Sequence, residues 1–289
     1  MSTPAPLAVI MISLNEAHNM EAVLENLNGF AREVFLLDSF SSDATVDIAL
    51  AGGVHVVQRR FRGFGDQWNF ALNHMPVTAP WVMKLDPDER LTDELKASIR
   101  AALAAPTADG FVVRRRLWFM GKTLPVTQNI LRIWRTGTCR FSDVLVNEYP
   151  IVEGRHQLLA GELEHRDSPN LHHWFEKQNA YGTAEALSAF RGDALSAEPD
   201  LFGSSLQRRM WLKQVFLRMP LRGAVMQLYC LLALGAWRAG RVGFIWAKLR
   251  GDIYRHLGYK LFEMRKTGNP YEPPASRLGA PHPRAEQTE

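Results

Sequence analysis

The sequence predicts an α/β protein: a doubly wound, mostly parallel sheet with an antiparallel extension, followed by a helical C-terminal region. Three observations predict it. Apolar runs alternate with amphipathic segments over residues 7–105, the pattern of successive βα units. Over residues 111–164 apolar runs then follow one another without helical segments between them. From Leu171 to Lys266 the apolar periodicity is helical.

Leu7–Leu14 reads as a strand. The run has no positive n-region and breaks at Asn15-Glu16, which argues against a signal peptide. Met20, Val23, Leu24 and Leu27 recur at helical spacing. Val34–Asp38 is a second strand, and Ala44–Ala51 a helix closed by Gly52-Gly53. Val54–Gln58 is a third strand, followed by a helix around Asp66–His74 and a strand at Trp81–Asp86. Thr92 suits an N-cap, with Asp93 and Glu94 at the positive end of a helix that runs to Ala105. Phe111–Phe119, Ile130–Arg135 and Leu158–Glu164 form the antiparallel extension. Helices are expected at Leu171–Phe190, Ser204–Arg218, Ala224–Arg238 and Gly243–Lys266. Thr267–Glu289 is rich in Pro, Gly and polar residues and predicts a disordered tail. These elements divide the chain into an α/β domain over residues 5–190, a basic amphipathic helical region over 191–266 and a tail over 267–289.

A hydrophobic content of 46% and a charged content of 22% place the 289 residues among folded proteins. Two cysteines, Cys139 and Cys230, exclude a disulfide framework and a cysteine-rich zinc site, and make a reducing compartment the default. Between Arg208 and Lys266 there are 13 Lys/Arg against Asp252 and Glu263, a balance of +11; the chain as a whole is +4, so the remainder is −7. A basic C-terminal third on an acidic body suggests a surface that meets anions. That third is apolar as well as basic and carries no nucleic-acid-binding motif, which favours lipid headgroups over nucleic acid.

The chemistry concentrates at strand ends. Asp86-Pro87-Asp88-Glu89 closes the apolar run Trp81–Leu85. Two carboxylates one residue apart can face one point, and oxygen ligands of that kind suit Mg²⁺ or Mn²⁺. The same residues are also ordinary turn chemistry. Ser13, Asn15 and Glu16 follow the first strand, and Asp38, Ser39, Ser41, Ser42 and Asp43 the second. Arg59, Arg60 and Arg62 follow the third. In an open α/β sheet, ligands bind beyond the carboxyl ends of the strands. Four such loops at one edge offer acceptors for a base or sugar, basic groups for phosphate and carboxylates for a cation.

Leu7–Asn19, Phe35–Thr45 and Trp81–Glu89, in this order and spacing, resemble the nucleotide-sugar-binding core of family 2 glycosyltransferases with the GT-A fold. The subgroup is that of bacterial lipopolysaccharide-core and exopolysaccharide enzymes. The resemblance spans residues 5–190 and implies a metal-dependent, inverting transfer of a hexose from a UDP-linked donor to a lipid-anchored glycan. It implies that Ser13, Asn15 and Glu16 contact the nucleotide, and that Asp38, with Ser39 and Asp43 around it, meets the base. Gln67 and Asn69 lie on the helix bordering the nucleotide. Asp86 and Asp88 fill an aspartate-x-aspartate motif, with Asp88 the usual ligand of Mg²⁺ or Mn²⁺ and Asp86 on ribose or cation. His165 is the third candidate ligand or a phosphate contact. Glu148 stands as the base that takes the acceptor proton, in a segment where Asn147 replaces the family's histidine; Asp143 and Glu89 are other carboxylates for that task.

Bland readings stand beside these. His165 at a strand end also fits a hydrogen-bonded structural histidine. Arg114-Arg115-Arg116 fits a solvated sheet edge as well as a phosphate contact. The apolar segment Ala224–Trp237 is about 14 residues, short of the roughly 20 a membrane span needs. Its Trp and Arg borders fit a bilayer interface, here the cytoplasmic face of the inner membrane, or packing against the α/β domain. A sugar-phosphate nucleotidyltransferase is the alternative enzyme class, and a basic nucleic-acid-binding protein the non-enzymatic one.

Overall fold

The computed structural model describes residues 3–142, 149–192 and 198–270. The first half runs β1 (Ala5–Ser13), α1 (Ala17–Leu27), β2 (Ala31–Asp38), α2 (Thr45–Ala51), β3 (His55–Gln58), α3 (Phe64–His74) and β4 (Trp81–Lys84). A short strand β5 (Glu89–Leu91) and α4 (Asp93–Ala104) follow, then β6 (Gly110–Phe119) and β7 (Lys122–Arg135). β8 (Cys139–Phe141) and β9 (Pro150–Val152) pair as a separate ribbon before β10 (His156–His165). The helices α5 (Leu171–Arg191), α6 (Ser205–Arg218), α7 (Arg222–Leu228) and α8 (Arg241–Thr267) close the described chain.

One eight-stranded sheet has the order β3-β2-β1-β4-β7-β6-β10-β5. Its first four strands are parallel, so their C-terminal loops meet at one edge. Alternation along β1 sends Leu7, Val9 and Met11 into one core with Met20, Val23, Leu95 and Ile99. Ala8 and Ile10 enter the other, with Phe35, Trp68 and Trp134. Each buried Leu, Val, Ile, Met or Phe among them contributes about 1.5–3 kcal/mol. The two-faced burial is what makes β1 and β4 read as continuous apolar runs.

The extension departs from expectation in three ways. β7 starts at Lys122, eight residues before the expected strand, because the Met120-Gly121 turn, at φ of +51° and +71°, folds it directly onto β6. β10 runs parallel to β6, so the extension is mixed in direction. β6 therefore lies between two strands, and Arg114-Arg115-Arg116 is not on a sheet edge: Arg116 pairs with Glu162, and Arg115 reaches Gln128 at 2.6 Å. The third departure is β5, which the turn-like sequence hid. It pairs antiparallel with β10 and sets Glu89 opposite His165.

β10 is bent between Leu158 and Glu162, where its register shifts. Gly161 takes φ of +84° there, and a Cβ at that position would stand 2.3 Å from the Leu95 backbone nitrogen. The approach lets Thr92 join strand and helix: its hydroxyl caps α4 at Leu95 and accepts from Glu162.

The expected helix over Ala224–Arg238 is broken. α7 passes into a π turn over Tyr229–Ala233, ends at Gly235 with φ of +69°, and a 3₁₀ turn over Ala236–Ala239 leads to α8. Trp246 and Cys230 from this region pack with Phe119, Leu124 and Trp174. Leu257 and Met264 of α8 pack on Leu187 of α5. Residues 271–289 lie outside the described chain, and with them most of the expected tail.

Gly161→Ala combines left-handed strain with a backbone collision. It should lower unfolding stability in denaturant titrations by at least about 2 kcal/mol, through displacement of β10 from α4.

Candidate active site

Parallel register sets Ser13, Asp38 and Gln58 side by side across β1, β2 and β3. Asp38 is fully buried. Its carboxylate accepts from Ser13 Oγ at 2.8 Å, from the Ser41 amide at 2.8 Å and hydroxyl, and from Gln58 Nε2 at 3.1 Å. Those four bonds fill the acceptor capacity of a carboxylate. Asp38 is thus the fastener of the β1, β2 and β3 loop ends, and Ser39 continues the seam by donating its amide to Ser13 O at 2.8 Å.

The first two loops are laced further. Asn15 has φ of +58°, which asparagine tolerates, and its Oδ1 accepts from the Ser42 amide at 2.8 Å. The Glu16 amide donates to Thr45 Oγ1 at 2.8 Å, and the Ala17 amide to Asp43 Oδ2 at 3.1 Å. Burial works against ionisation of Asp43, but hydrogen bonds from Thr45 and Ala17 hold its carboxyl below the ordinary value. Gln67 is buried on α3, donating to Ser39 Oγ at 3.1 Å and accepting from Arg59 at 2.5 Å. Asn69 closes its amide on the Phe141 backbone, at 3.0 and 2.8 Å, and so pins β8 to α3. A cleft of about 470 Å³ opens beside these loops, lined by Phe40, Gln58, Arg59, Arg60, Arg62 and Phe70. A depression of about 560 Å³ is lined by α8 residues such as Tyr259 and Phe262 and includes none of the strand-end groups.

After β4 the carboxylates crowd. Glu89 is wholly buried, and accepts from Arg132 Nη2 at 2.5 Å and from the Asp86 amide at 3.0 Å. It is an anchor beneath the loop, closed off from solvent. Arg132 also reaches Asp86 at 2.8 Å. Burial pushes Asp86 up, but Arg132 and Lys84 hold it down to about 2. Arg90 fixes the turn from below by donating to Pro87 O at 2.6 Å and Asn19 O at 3.0 Å.

Asp88 points the other way. Its Oδ2 lies 3.3 Å from His165 Nε2 and 3.2 Å from Lys177 Nζ. Its Oδ1 is buried without a hydrogen-bond partner. Burial opposes the Asp88 charge, but His165 and Lys177 hold its pKa far below the usual range. The same contact raises His165 against its own burial. Asp88, His165 and Asp167 offer ligand atoms within 4.8 Å of one another, the group that could hold a metal among the described residues. Asp86, expected on ribose or cation, is held by Arg132 and is not among these three. Asp167 and Lys177 were not singled out from sequence. The His165-x-Asp167 spacing after a strand, which puts two side chains on one side, was the available signal for the first. Nothing local marked Lys177 or Arg132. Glu148, with Asp143 and Asn147, lies outside the described residues.

Glu16 faces this cluster. Burial first, then the Asp88 and Asp86 charges, raise its pKa to about 7 against the pull of Lys177 and Asn19.

A sequence model described as "Glycosyl transferase family 2" matches residues 8–151. The lipopolysaccharide core biosynthesis glycosyltransferase LpsC of Rhizobium meliloti (strain 1021) is 29% identical over 271 residues, covering 87% of this chain and 90% of that protein. An uncharacterized glycosyltransferase of Rickettsia bellii (strain RML369-C) is 31% identical over 106 residues, which cover 37% of this chain and 35% of that relative's length. Among solved structures, the mannosyltransferase PcManGT from Pyrobaculum calidifontis, in complex with GDP-Man and Mn²⁺, has a similar fold. The match covers 90% of this chain and 89% of that one, with a TM-score of 0.52 and 18% identity. The mixed sheet with its helical C-terminal region is therefore a GT-A-like fold.

An acid whose folded pKa is raised binds more protons folded than unfolded, so its contribution to stability falls as pH rises from about 4.5 to about 7. Glu16→Gln removes that loss. In EDTA, its melting temperature should exceed that of the wild type at pH 8, by roughly 2–4 °C for each kcal/mol relieved, and the gap should close toward pH 5.

Proposed function

Because this chain belongs to glycosyl transferase family 2, we propose that it moves a hexose, with inversion, from a UDP-linked donor to a lipid-anchored glycan in cell-envelope polysaccharide synthesis. The observation that carries this is Asp88 Oδ1, a buried carboxylate oxygen without a partner, beside His165 and Asp167 at the end of β4. An orphaned buried acceptor costs about 1–3 kcal/mol, and more when charged. Oxygen donors with one imidazole fit Mn²⁺ or Mg²⁺, so Asp88, His165 and Asp167 would hold the ion. When bound, such an ion supplies the positive charge that stabilises the departing nucleoside diphosphate.

The remaining roles belong to the chain. The Asp38 network holds the Ser13, Asn15 and Ser39 loop at the mouth of the site, which supports donor binding there. Asn69 and Gln67 contribute by fixing α3 and the Arg59 loop. That loop brings Arg60 and Arg62 to the cleft by Phe40, where basic groups stabilise phosphate charge. Glu148 takes the acceptor hydroxyl's proton as the sugar bond forms, a role carried from the family resemblance. The likeness to LpsC over 90% of its length supports a lipopolysaccharide-type acceptor.

Such an acceptor lies at a membrane. Among the described residues, no helix is long and apolar enough to cross one. Yet Leu221 is 81% exposed and Leu232 66%, with Trp237 and Phe244 also exposed. Arg222, Arg238 and Arg241 neighbour them in sequence. Apolar and basic groups together support peripheral attachment to anionic lipid at the cytoplasmic face of the inner membrane.

A screen of nucleotide-sugars with Mn²⁺ should find a donor that the wild type binds and Asp88→Ala does not. Glu148→Gln should bind that donor with unchanged affinity and lose about 10²–10⁴-fold in transfer rate. Pyrophosphate release from a nucleoside triphosphate would instead mark a nucleotidyltransferase. In flotation assays the protein should rise with anionic vesicles at low salt and stay down with neutral ones. Trp237→Ser with Leu232→Ser should weaken that binding while leaving donor binding intact.

A further inference from the structure

The side chain of Lys177, on α5, ends inside the candidate cation site. Its Nζ lies 3.2 Å from Asp88 Oδ2, 2.9 Å from Asp167 Oδ1 and 3.2 Å from the Asp167 carbonyl oxygen. Two of the three members of the cluster are thus already bridged by an ammonium. The position is largely enclosed, with Lys177 23%, Asp167 14% and Asp88 7% exposed. His165 Nε2 approaches the same Asp88 Oδ2, and Asp88 Oδ1 is left buried and bare. The cluster therefore has an ammonium across its two carboxylates, an imidazole beside it and one acceptor in surplus. A second cation cannot share the two carboxylates with the first, since like charges a few ångströms apart in a poorly screened site repel strongly.

We propose that Lys177 is a tethered resident cation, and that a divalent ion enters this site only by displacing it. The inference rests on the reading of Asp88, His165 and Asp167 as a divalent-cation site and adds how that site is kept before loading. The ammonium neutralises Asp88 and Asp167, so the carboxylates stay together in the free protein. Four rotatable bonds let it leave without movement of α5. Loading is then an exchange of one cation for another, and the affinity for the ion is set low by the lysine that must leave.

Mn²⁺ titrations of the full-length protein, followed by electron paramagnetic resonance, test this with wild type, Lys177→Met, Lys177→Arg and Asp88→Asn. Lys177→Met should bind Mn²⁺ at least about tenfold more tightly than wild type, equivalent to about 1.4 kcal/mol. Lys177→Arg, which keeps the charge, should show no such gain. In EDTA, Lys177→Met should melt below wild type, and Mn²⁺ should raise its melting temperature by more than it raises that of wild type. If Lys177→Met does not fold, Lys177→Gln takes its place. Equal or weaker Mn²⁺ binding by the lysine variant, with wild-type binding intact and lost in Asp88→Asn, overturns the exchange and leaves the cation site standing. Absence of Mn²⁺ binding in both wild type and variant overturns the two together.

Discussion

The constraint on which the structure turns is electrostatic. Glu16, Asp86, Asp88, Glu89 and Asp167 are gathered around one strand end, and a fold can hold that much negative charge only by neutralising it. Arg132 does so from beneath, between buried Glu89 and Asp86. Lys177 and His165 do so from the side, against Asp88. Removing one partner of a buried pair typically costs 3–5 kcal/mol, because the survivor stays charged and unsolvated. The geometry of the acidic loop is therefore inherited from β7, β10 and α5, none of which is near it in sequence. β5 is the joint: three residues of antiparallel pairing bring the loop against β10, and His165 arrives with it.

Two kinds of polar residue share the sheet edge, and hydrogen-bond saturation separates them. Asp38, Gln67, Asn69 and Glu89 have their polar atoms committed to neighbours inside the protein and give the loops their shape. Asp88 has an oxygen left over. In a low-dielectric surround a saturated network is rigid, and an unsaturated atom is costly unless a ligand completes it. The contrast leaves the first group saturated and the second with an oxygen open to a ligand. It also explains why so many polar side chains are needed around so few reacting groups: loops carry backbone donors and acceptors of their own that must be satisfied before any ligand is met.

The C-terminal helices present two unlike faces. Trp246, Leu257 and Met264 face inward: the β6–β7 hairpin receives Trp246 through Phe119 and Leu124, and Leu187 of α5 receives the other two. The same elements leave large apolar side chains in solvent beside arginines. Inward packing and exposed apolar side chains are thus divided between faces of one helical region. The break at Gly235 separates α7 from the 3₁₀ turn and α8, where an unbroken helix was expected.

The alternation of apolar and polar residues by itself determined the layered sheet, the succession of its first four strands along the chain and the edge at which their loops would gather. These are local consequences of side-chain period and of parallel connection, and Ser13, Asp38 and Asp88 could be named on that basis. The motif order and spacing carried the family. What only tertiary structure decided were the pairings between distant segments: β5 with β10, Arg132 with Glu89, Lys177 with Asp88 and Asp167. A three-residue strand has no period to read, and an ion pair between residues 43 or 89 positions apart leaves no pattern in either segment. Burial and charge balance are properties of the assembled fold, so which carboxylate is anchored and which is left open was settled by the structure alone.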